Sequence, residues 1–423
     1  MLDIKLLKKD PQGTLAKLKT KDPQIDTHEL LKLYETICEL KSSTESKKSI
    51  LNQVSKEVGE RKRQKLAADD LIEKTSDLKK EISDLDSKLM ELEPKYLDLL
   101  ARLPNLPEDG IHHSLDPKDN VCVKTHLKKP VFDFPFKNHV ELNESLKLFD
   151  FKRGAKISGS NWPVYRGNGA RLEWALIQFM MDFHLKNGFT PVIPPHLVRK
   201  ETMYGSGQLP KFSEQLFKIH DKDFELYLIP TSEVALNGLH IDEIFESSEL
   251  PLKYVSYTPC FRREAGAAGS QERGLIRMHQ FNKVEMFSFT TPDHSETLFK
   301  EMVHSAEKIL EALELHYRSM LLVTGDMSFA SAKTIDVEVF LPGQDRYYEV
   351  SSISNCTDYQ ARRSQIRYRN KEGKVELVHT LNGSGLATSR LMVAILENNQ
   401  QKDGSVIIPK VLRPYLDGLE ILK

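Results

Sequence analysis

The stretch Tyr257–Phe289, YTPCFRREAGAAGSQERGLIRMHQFNKVEMFSF, decides how the rest of the chain is read. It reads as two strands joined by a polar, Gly-rich loop. The first strand ends in Phe261-Arg262-Arg263-Glu264, and the second runs from about Leu275 to Phe289. Successive side chains of a strand point to opposite faces. The second strand therefore sets Arg277, His279, Phe281, Lys283 and Glu285 on one face, and Ile276, Met278, Val284 and Met286 on the other. One face suits a core. The other combines guanidinium groups that can clamp an anion (Arg262, Arg277), a ring that can stack on a base (Phe281) and a carboxylate placed for burial (Glu285). The plainer alternative is an antiparallel hairpin with a solvated polar face.

Outward from this stretch, composition bounds the answer. A chain of 423 residues, 29% charged and 39% hydrophobic, suits two globular domains. A net charge of -1 gives no global attraction to nucleic acid, so any such binding must come from a local patch. Cys38, Cys122, Cys260 and Cys356 form no CxxC pair, which argues against a thiolate metal site and a disulfide framework and for a reducing cytoplasm. The N-terminus MLDIKLLKKD has no long apolar run, and no stretch of ~18 apolar residues predicts a membrane span.

Towards the N-terminus, residues 1–25 hold a short helical segment interrupted by Pro11 and Pro23. Heptads follow. Leu30, Ile37, Thr44, Leu51 and Val58 form one register and Leu33, Leu40, Lys47, Val54 and Arg61 the other. After Ala67-Ala68-Asp69-Asp70 the pattern restarts with Leu71, Leu78, Leu85, Leu92 and Leu99, and Thr75, Ile82, Leu89, Tyr96 and Leu103. Two heptad runs of similar length predict an antiparallel coiled-coil arm over about 28–103, projecting ~50 Å, with a kink at Pro94. Lys56, Arg61, Lys62, Arg63 and Lys65 crowd its tip. A solvated face is the ordinary reading of such a run, but a long arm with no core of its own to protect points to a phosphate backbone.

Residues 106–136 read as a Pro- and Asp-rich linker in which His112 and His113 are surface residues, and 137–423 as a globular α/β mixture. Strands are expected near 224–230, 252–262, 275–289 and 345–355, and helices over 172–185, 294–321 and 387–398. Leu381–Gly385 is expected as a Gly-rich turn that lets a ligand approach the backbone. Five clusters could share one site: Thr231-Ser232-Glu233; Arg262 with Glu264; Phe281 with Glu285; Glu349-Val350-Ser351-Ser352; and Asn382-Gly383-Ser384-Gly385 with Arg390. Arginines with carboxylates suit a nucleoside triphosphate and a magnesium ion. Neither a P-loop nor a Rossmann glycine pattern is present.

The chain resembles the bacterial-type seryl-tRNA synthetases of class II over essentially its whole length. GFTPVIPP (188–195) resembles the dimer-interface motif, FRREAG…RGLIRMHQFNKVEMF the second motif and TLNGSGLATSRLMVAILEN (380–398) the third. EVSSISNCTDYQARR (349–363) and VLRPYL (411–416) are also family-like. The resemblance implies an α+β catalytic domain, an antiparallel sheet flanked by helices, behind a tRNA-binding domain of residues 1–105. It implies that Arg262 holds the α-phosphate of ATP, Arg263 and Glu264 the nucleotide and Arg277 the outer phosphates. Phe281 and Arg390 would stack on the two faces of adenine, and Glu349, Val350, Ser351 and Ser352 would complete the ATP site, with Mg²⁺ on Glu349 and Ser352. Thr231, Ser232, Glu233, Glu285, Asn382 and Ser384 would bind L-serine. Catalysis would rest on Arg262, Arg390 and Glu349, through positioning and charge. The implied partners are serine tRNA, gripped at its long variable arm by the coiled coil, selenocysteine tRNA as a further acceptor the likeness allows, and a second copy of the chain; no zinc and no membrane are expected. A sibling enzyme for threonine would use zinc, for which no Cys/His set stands out. A non-catalytic relative would be expected to lose Arg262, Arg390, Glu349 or the arm, and all are present.

Overall fold

A seam with one apolar residue every three or four positions must be buried against another apolar surface, and here a second seam provides it. The computed structural model describes residues 1–265 and 274–423. It comprises two compact units, Leu2–Leu103 and Pro104–Lys423 together with Met1. In the first, short helices Ile4–Lys9 and Pro11–Lys21 precede α1 (His28–Arg63) and α2 (Asp69–Ala101). Pro11 opens its helix at a position where a missing N–H costs nothing, and the Asp10 side chain caps it. The ion pairs Lys41–Glu93, Lys47–Glu81 and Arg61–Asp70 run in opposite directions along the sequence, so α1 and α2 are antiparallel. Leu30, Ile37, Thr44 and Val54 are buried on α1, and Leu71, Leu78 and Ile82 on α2. Exposed ion pairs contribute about 0–1 kcal/mol each, so this seam holds the hairpin. Thr44 is accommodated by donating its hydroxyl to the Leu40 carbonyl (2.8 Å). Helix α2 continues through Pro94 to Ala101.

The second unit is built on an eight-stranded sheet of β1 (Val121–His126), β2 (Thr190–Pro191), β3 (Leu252–Phe261), β4 (Gln280–Thr290), β5 (Tyr317–Leu321), β6 (Lys333–Leu341), β7 (Arg346–Asn355) and β8 (His379–Ala387). The spatial order is β1-β5-β6-β7-β8-β4-β3-β2, antiparallel except for the short β2–β3 pair. Three helices, α3 (Asn168–Lys186), α5 (Ser295–Ala312) and α6 (Thr388–Asn398), contribute Leu172, Leu176, Met180, Met302, Ile309, Leu391 and Ile395 to the main core against the sheet. A further helix, α4 (Ser232–Gly238), follows the turn at Thr231. Gly188, at φ +79°, ends α3 by donating to the Leu185 carbonyl (3.0 Å), and the chain leaves extended as β2.

Four expectations are corrected. Residues 106–136 are not a linker: they supply edge strand β1, and Asn105 and Glu108 donate backbone hydrogen bonds to Phe329 and Ala332. Its residues are mostly exposed, so the apolar alternation of a strand is missing. The second strand of the central hairpin starts at Gln280 rather than Leu275, because the N–H of Leu275 goes to the His139 ring and that of His279 to the Asn161 carbonyl. The Gly-rich loop expected before it lies, over 266–273, outside the described residues. The helix expected over 294–321 ends at Ala312, and a turn with Glu314 at φ +57° leads into β5. Residues 381–385 are interior strand β8 rather than a turn. A Cβ on Gly385 would lie 2.5 Å from the ring Nε2 of buried His184, and one on Gly383 would lie 3.0 Å from Ile353, so both glycines serve close packing on the core side.

Candidate active site

Thr231 ends an extended segment and caps α4 with its own hydroxyl, which accepts from the Glu233 N–H (3.3 Å). The same oxygen accepts from Lys283 Nζ (2.8 Å) and donates to Glu285 Oε2 (3.3 Å). Lys283 and Glu285, two residues apart on β4 and so on one face, form an ion pair with side chains only 8% and 2% exposed. Register then places Ser384 directly opposite Glu285 across the β8–β4 ladder. Glu233 accepts from Gln360 Nε2 (2.6 Å) and Asn382 Nδ2 (3.2 Å). Burial, and next the charge of Glu285, push its carboxyl up to about 7.

Beyond this pocket the surroundings become cationic. Arg262 donates Nε to the Pro230 carbonyl (3.3 Å), and its guanidinium lies 5.1 Å from the Phe281 ring centroid. Arg277 pairs with Glu264 at 3.2 Å. Arg390, from the first turn of α6, donates to the Glu349 carbonyl (2.6 Å) and faces its carboxylate at 3.6 Å. Glu349 and Ser352 are three residues apart, which on a regular strand would put them on opposite faces. A bulge leaves Val350 unopposed, with Glu349 facing Glu338 and Ser351 facing Val337, and this brings Glu349, Ser352 and Ser354 to one face.

These groups line two adjoining cavities. One, of 470 Å³, is bounded by Thr231, Glu233, Arg262, Lys283, Glu285, Glu349, Ser352, Asn382 and Ser384 among others. The other, of 180 Å³, is bounded by Phe281, Ser389 and Arg390 and shares Arg262, Glu264, Arg277, Lys283, Glu349 and Ser384 with the first. The five clusters singled out in the sequence thus converge. Ser232, Arg263, Val350 and Ser351 line neither cavity, against expectation: Ser232 hydrogen-bonds Thr258 (2.6 Å), the Arg263 side chain is exposed, Val350 packs in the core, and Ser351 donates to the Ser384 carbonyl (2.5 Å). Two residues without an expected role, Lys283 and Gln360, hold the carboxylates of the larger cavity. Lys283 had a signal, being two residues from Glu285 in the same strand; Gln360 had none.

The tRNA synthetase class II core domain (G, H, P, S and T) family matches residues 216–399, and the seryl-tRNA synthetase N-terminal domain family matches residues 1–107. A Chlamydia caviae protein named serine–tRNA ligase is 53% identical over 422 residues, covering 100% of this chain and 99% of that protein. The chain belongs to the seryl-tRNA synthetase family. Its fold follows that of the seryl-tRNA synthetase from Pyrococcus horikoshii solved with ATP (TM-score 0.92, 37% identity, 100% of this chain and 99% of that one). It also follows the cytoplasmic serine–tRNA ligase from Naegleria fowleri solved with AMP (TM-score 0.87, 28% identity, 100% and 99%). Among the described residues, no group of three or more His, Cys, Asp or Glu could hold a metal ion by itself.

In a seryl-tRNA synthetase pocket of this kind the ammonium of Lys283 compensates the buried charge of Glu285. Removing one partner of a buried pair costs about 3–5 kcal/mol. Lys283→Met should therefore lower the urea midpoint by a corresponding amount, and adding Glu285→Gln should restore most of it. An unchanged midpoint in the single variant would show that the pair carries no such role.

Proposed function

We propose that the larger cavity binds L-serine and the smaller the adenine end of ATP, and that the chain joins them to give seryl-adenylate and pyrophosphate. The convergence of Arg262, Glu285, Glu349, Asn382 and Ser384 on one cavity carries this reading. The serine carboxylate oxygen attacks the α-phosphorus and the bond to pyrophosphate breaks. The terminal ribose hydroxyl of serine tRNA then attacks the seryl carbonyl and AMP leaves. Arg262, lining both cavities, suits the α-phosphate, where its fixed charge meets the charge that develops in the transition state. Arg277 suits the outer phosphates, and Phe281 and Arg390 the two faces of the base. Glu233 and Thr231 suit the α-amino group, whose ammonium would favour the ionised form of Glu233.

Glu285 and Ser384, cross-strand partners, suit the substrate hydroxyl. Glycine and alanine lack that hydroxyl and would leave a buried carboxylate without its donor, a loss that can discriminate by ~10⁴. Glu349 and Ser352 present hard oxygen donors on one face, and Asp336, opposite Ser352 in the ladder, has a buried carboxylate oxygen without a hydrogen-bond partner. This set fits a magnesium ion that takes its remaining ligands from phosphate and water. When bound, such an ion would neutralise phosphate charge.

The arm is proposed to grip the long variable arm of serine tRNA by shape and backbone charge. Lys56, Lys62, Arg63 and Lys65 are exposed at its tip, whereas Arg61 is engaged by Glu57 (3.1 Å) and Asp70 (3.2 Å). Trp174, 64% exposed on the helix before GFTPVIPP, and Ile193, 91% exposed within that segment, favour a homodimer. No helix among the described residues is long and apolar enough to cross a membrane, and a cytoplasmic enzyme is proposed.

Serine-dependent ATP–pyrophosphate exchange should vanish in Arg262→Ala; exchange within about tenfold of wild type would remove Arg262 from the phosphate site. Replacing Lys56, Lys62, Arg63 and Lys65 together by alanine should weaken charging of serine tRNA and flatten its salt dependence while exchange continues. Charging with an unaltered salt slope would mean that the tip does not meet RNA. Trp174→Glu should shift the protein from dimer to monomer in light scattering, and a wild type already monomeric at micromolar concentration would refute the interface.

A further inference from the structure

Glu173 belongs to none of the groups assigned above. It points inward from α3 and is 4% exposed. Its Oε1 meets Asn282 Nδ2 (2.9 Å) and the hydroxyl of Thr388. That hydroxyl also lies 2.9 Å from the Asn282 carbonyl oxygen. A threonine hydroxyl has one proton to donate, and here two acceptors compete for it. An ionised Glu173 leaves either the Asn282 carbonyl or the carboxylate facing a bare oxygen. A protonated Glu173 satisfies all three groups: it donates to Thr388, Thr388 donates to the Asn282 carbonyl, and Asn282 Nδ2 donates back to the carboxyl.

The surroundings agree. The second carboxyl oxygen is buried without a hydrogen-bond partner, and burial raises the group to about 7 against the opposing pull of Thr388 and Asn282. The titratable groups facing it from other elements are the phenols of Tyr165 and Tyr257, both of which its charge pushes up, and no cation acts on it among the described residues. An unpaired charge in such a place is costly. The tether also has a telling location. Asn282 lies between Phe281 and Lys283 on β4, and Thr388 begins α6 two residues before Arg390. Phe281 and Arg390 are walls of the smaller cavity.

We propose that Glu173, in its protonated form, is a positioning residue that fixes the spacing between Phe281 and Arg390 and thereby sets the affinity of the site for the base of ATP. The inference rests on the assignment of that cavity to the nucleotide. The test is the ATP dissociation constant of the full chain, by titration calorimetry without serine, from below to above neutrality. It is run beside serine-dependent pyrophosphate exchange. In the wild type the dissociation constant should rise as pH passes about 7, by at most about tenfold for each pH unit beyond it as the protonated fraction falls, until it reaches that of Glu173→Ala. Glu173→Gln, neutral at every pH, should stay tight throughout. Glu173→Ala and Thr388→Val should be weak at every pH and lose the dependence, while the KM for serine holds.

A Glu173→Gln profile that tracks the wild type would overturn the proposal, even though Glu233 also titrates near neutrality. So would variants that weaken ATP and serine alike. If ATP binding follows the expected profile but no exchange occurs with serine, Glu173 keeps its role and the proposed reaction falls.

Discussion

Everything in the larger cavity depends on a buried triangle of Lys283, Glu285 and Thr231. On the proposed assignment Glu285 receives the hydroxyl of a small alcohol where water is scarce, and burial alone opposes a charge there. The ammonium two residues away on the same strand face supplies the missing compensation. Thr231 finishes the arrangement, because its oxygen accepts from the cation and from the Glu233 N–H while its proton goes to Glu285. One hydroxyl therefore fixes the entry of α4, the cation and the carboxylate together. The site is as rigid as the junction of β4 with the start of that helix.

The sheet contributes through its irregularities as much as through its ladder. Strand alternation brings alternate residues to a surface, yet Glu349 and Ser352 are separated by three, and so are Ser384 and Ala387, which line the smaller cavity. In both strands the register slips by one residue at the site: at Val350 against β6, and between Ser384 and Ala387 against β4. The second slip holds Leu386, a residue with a side chain, at φ +107° in the core. Such a conformation costs about 1–3 kcal/mol and persists where the surroundings over-determine it. Two slips in neighbouring strands concentrate oxygen donors and the root of Arg390 on one face more densely than a regular sheet could.

This explains how much could be read from residues alone. The arm was legible because heptads are a local signal, and α1 begins at His28 as the pattern requires. The hairpin around Arg262 and Glu285 was legible because alternation separates a charged face from an apolar one. The slips were not legible, since a bulge is a property of two strands and neither sequence carries it. Val350 and Ser351 sit between two residues that line the larger cavity, and nearness in sequence alone does not set them apart. Gly383 and Gly385 suggest a turn, because a glycine needed for the close approach of Ile353 or His184 looks like a glycine needed for a turn. Strand β1 was hidden by its exposure, as an edge strand with little buried surface has no alternation to show.

Glu173, Glu233 and Glu285 show how one residue type acquires three characters within one catalytic unit. All three lose hydration, and each meets a different compensation. Glu285 has a cation on its own strand. Glu233 is pushed up to about 7 by burial and next by a neighbouring negative charge, and it holds amide donors from Gln360 and Asn382. Glu173 has only an amide and a hydroxyl whose single proton is already contested, so its own proton is the economical solution. What differs among them is the kind and charge of the partners rather than the depth of burial, since Glu285 is at least as buried as Glu173. On the proposed assignments, one type of side chain pairs a cationic substrate group, accepts from a neutral hydroxyl and holds two elements at a fixed spacing, because the sheet delivers a different set of partners to each.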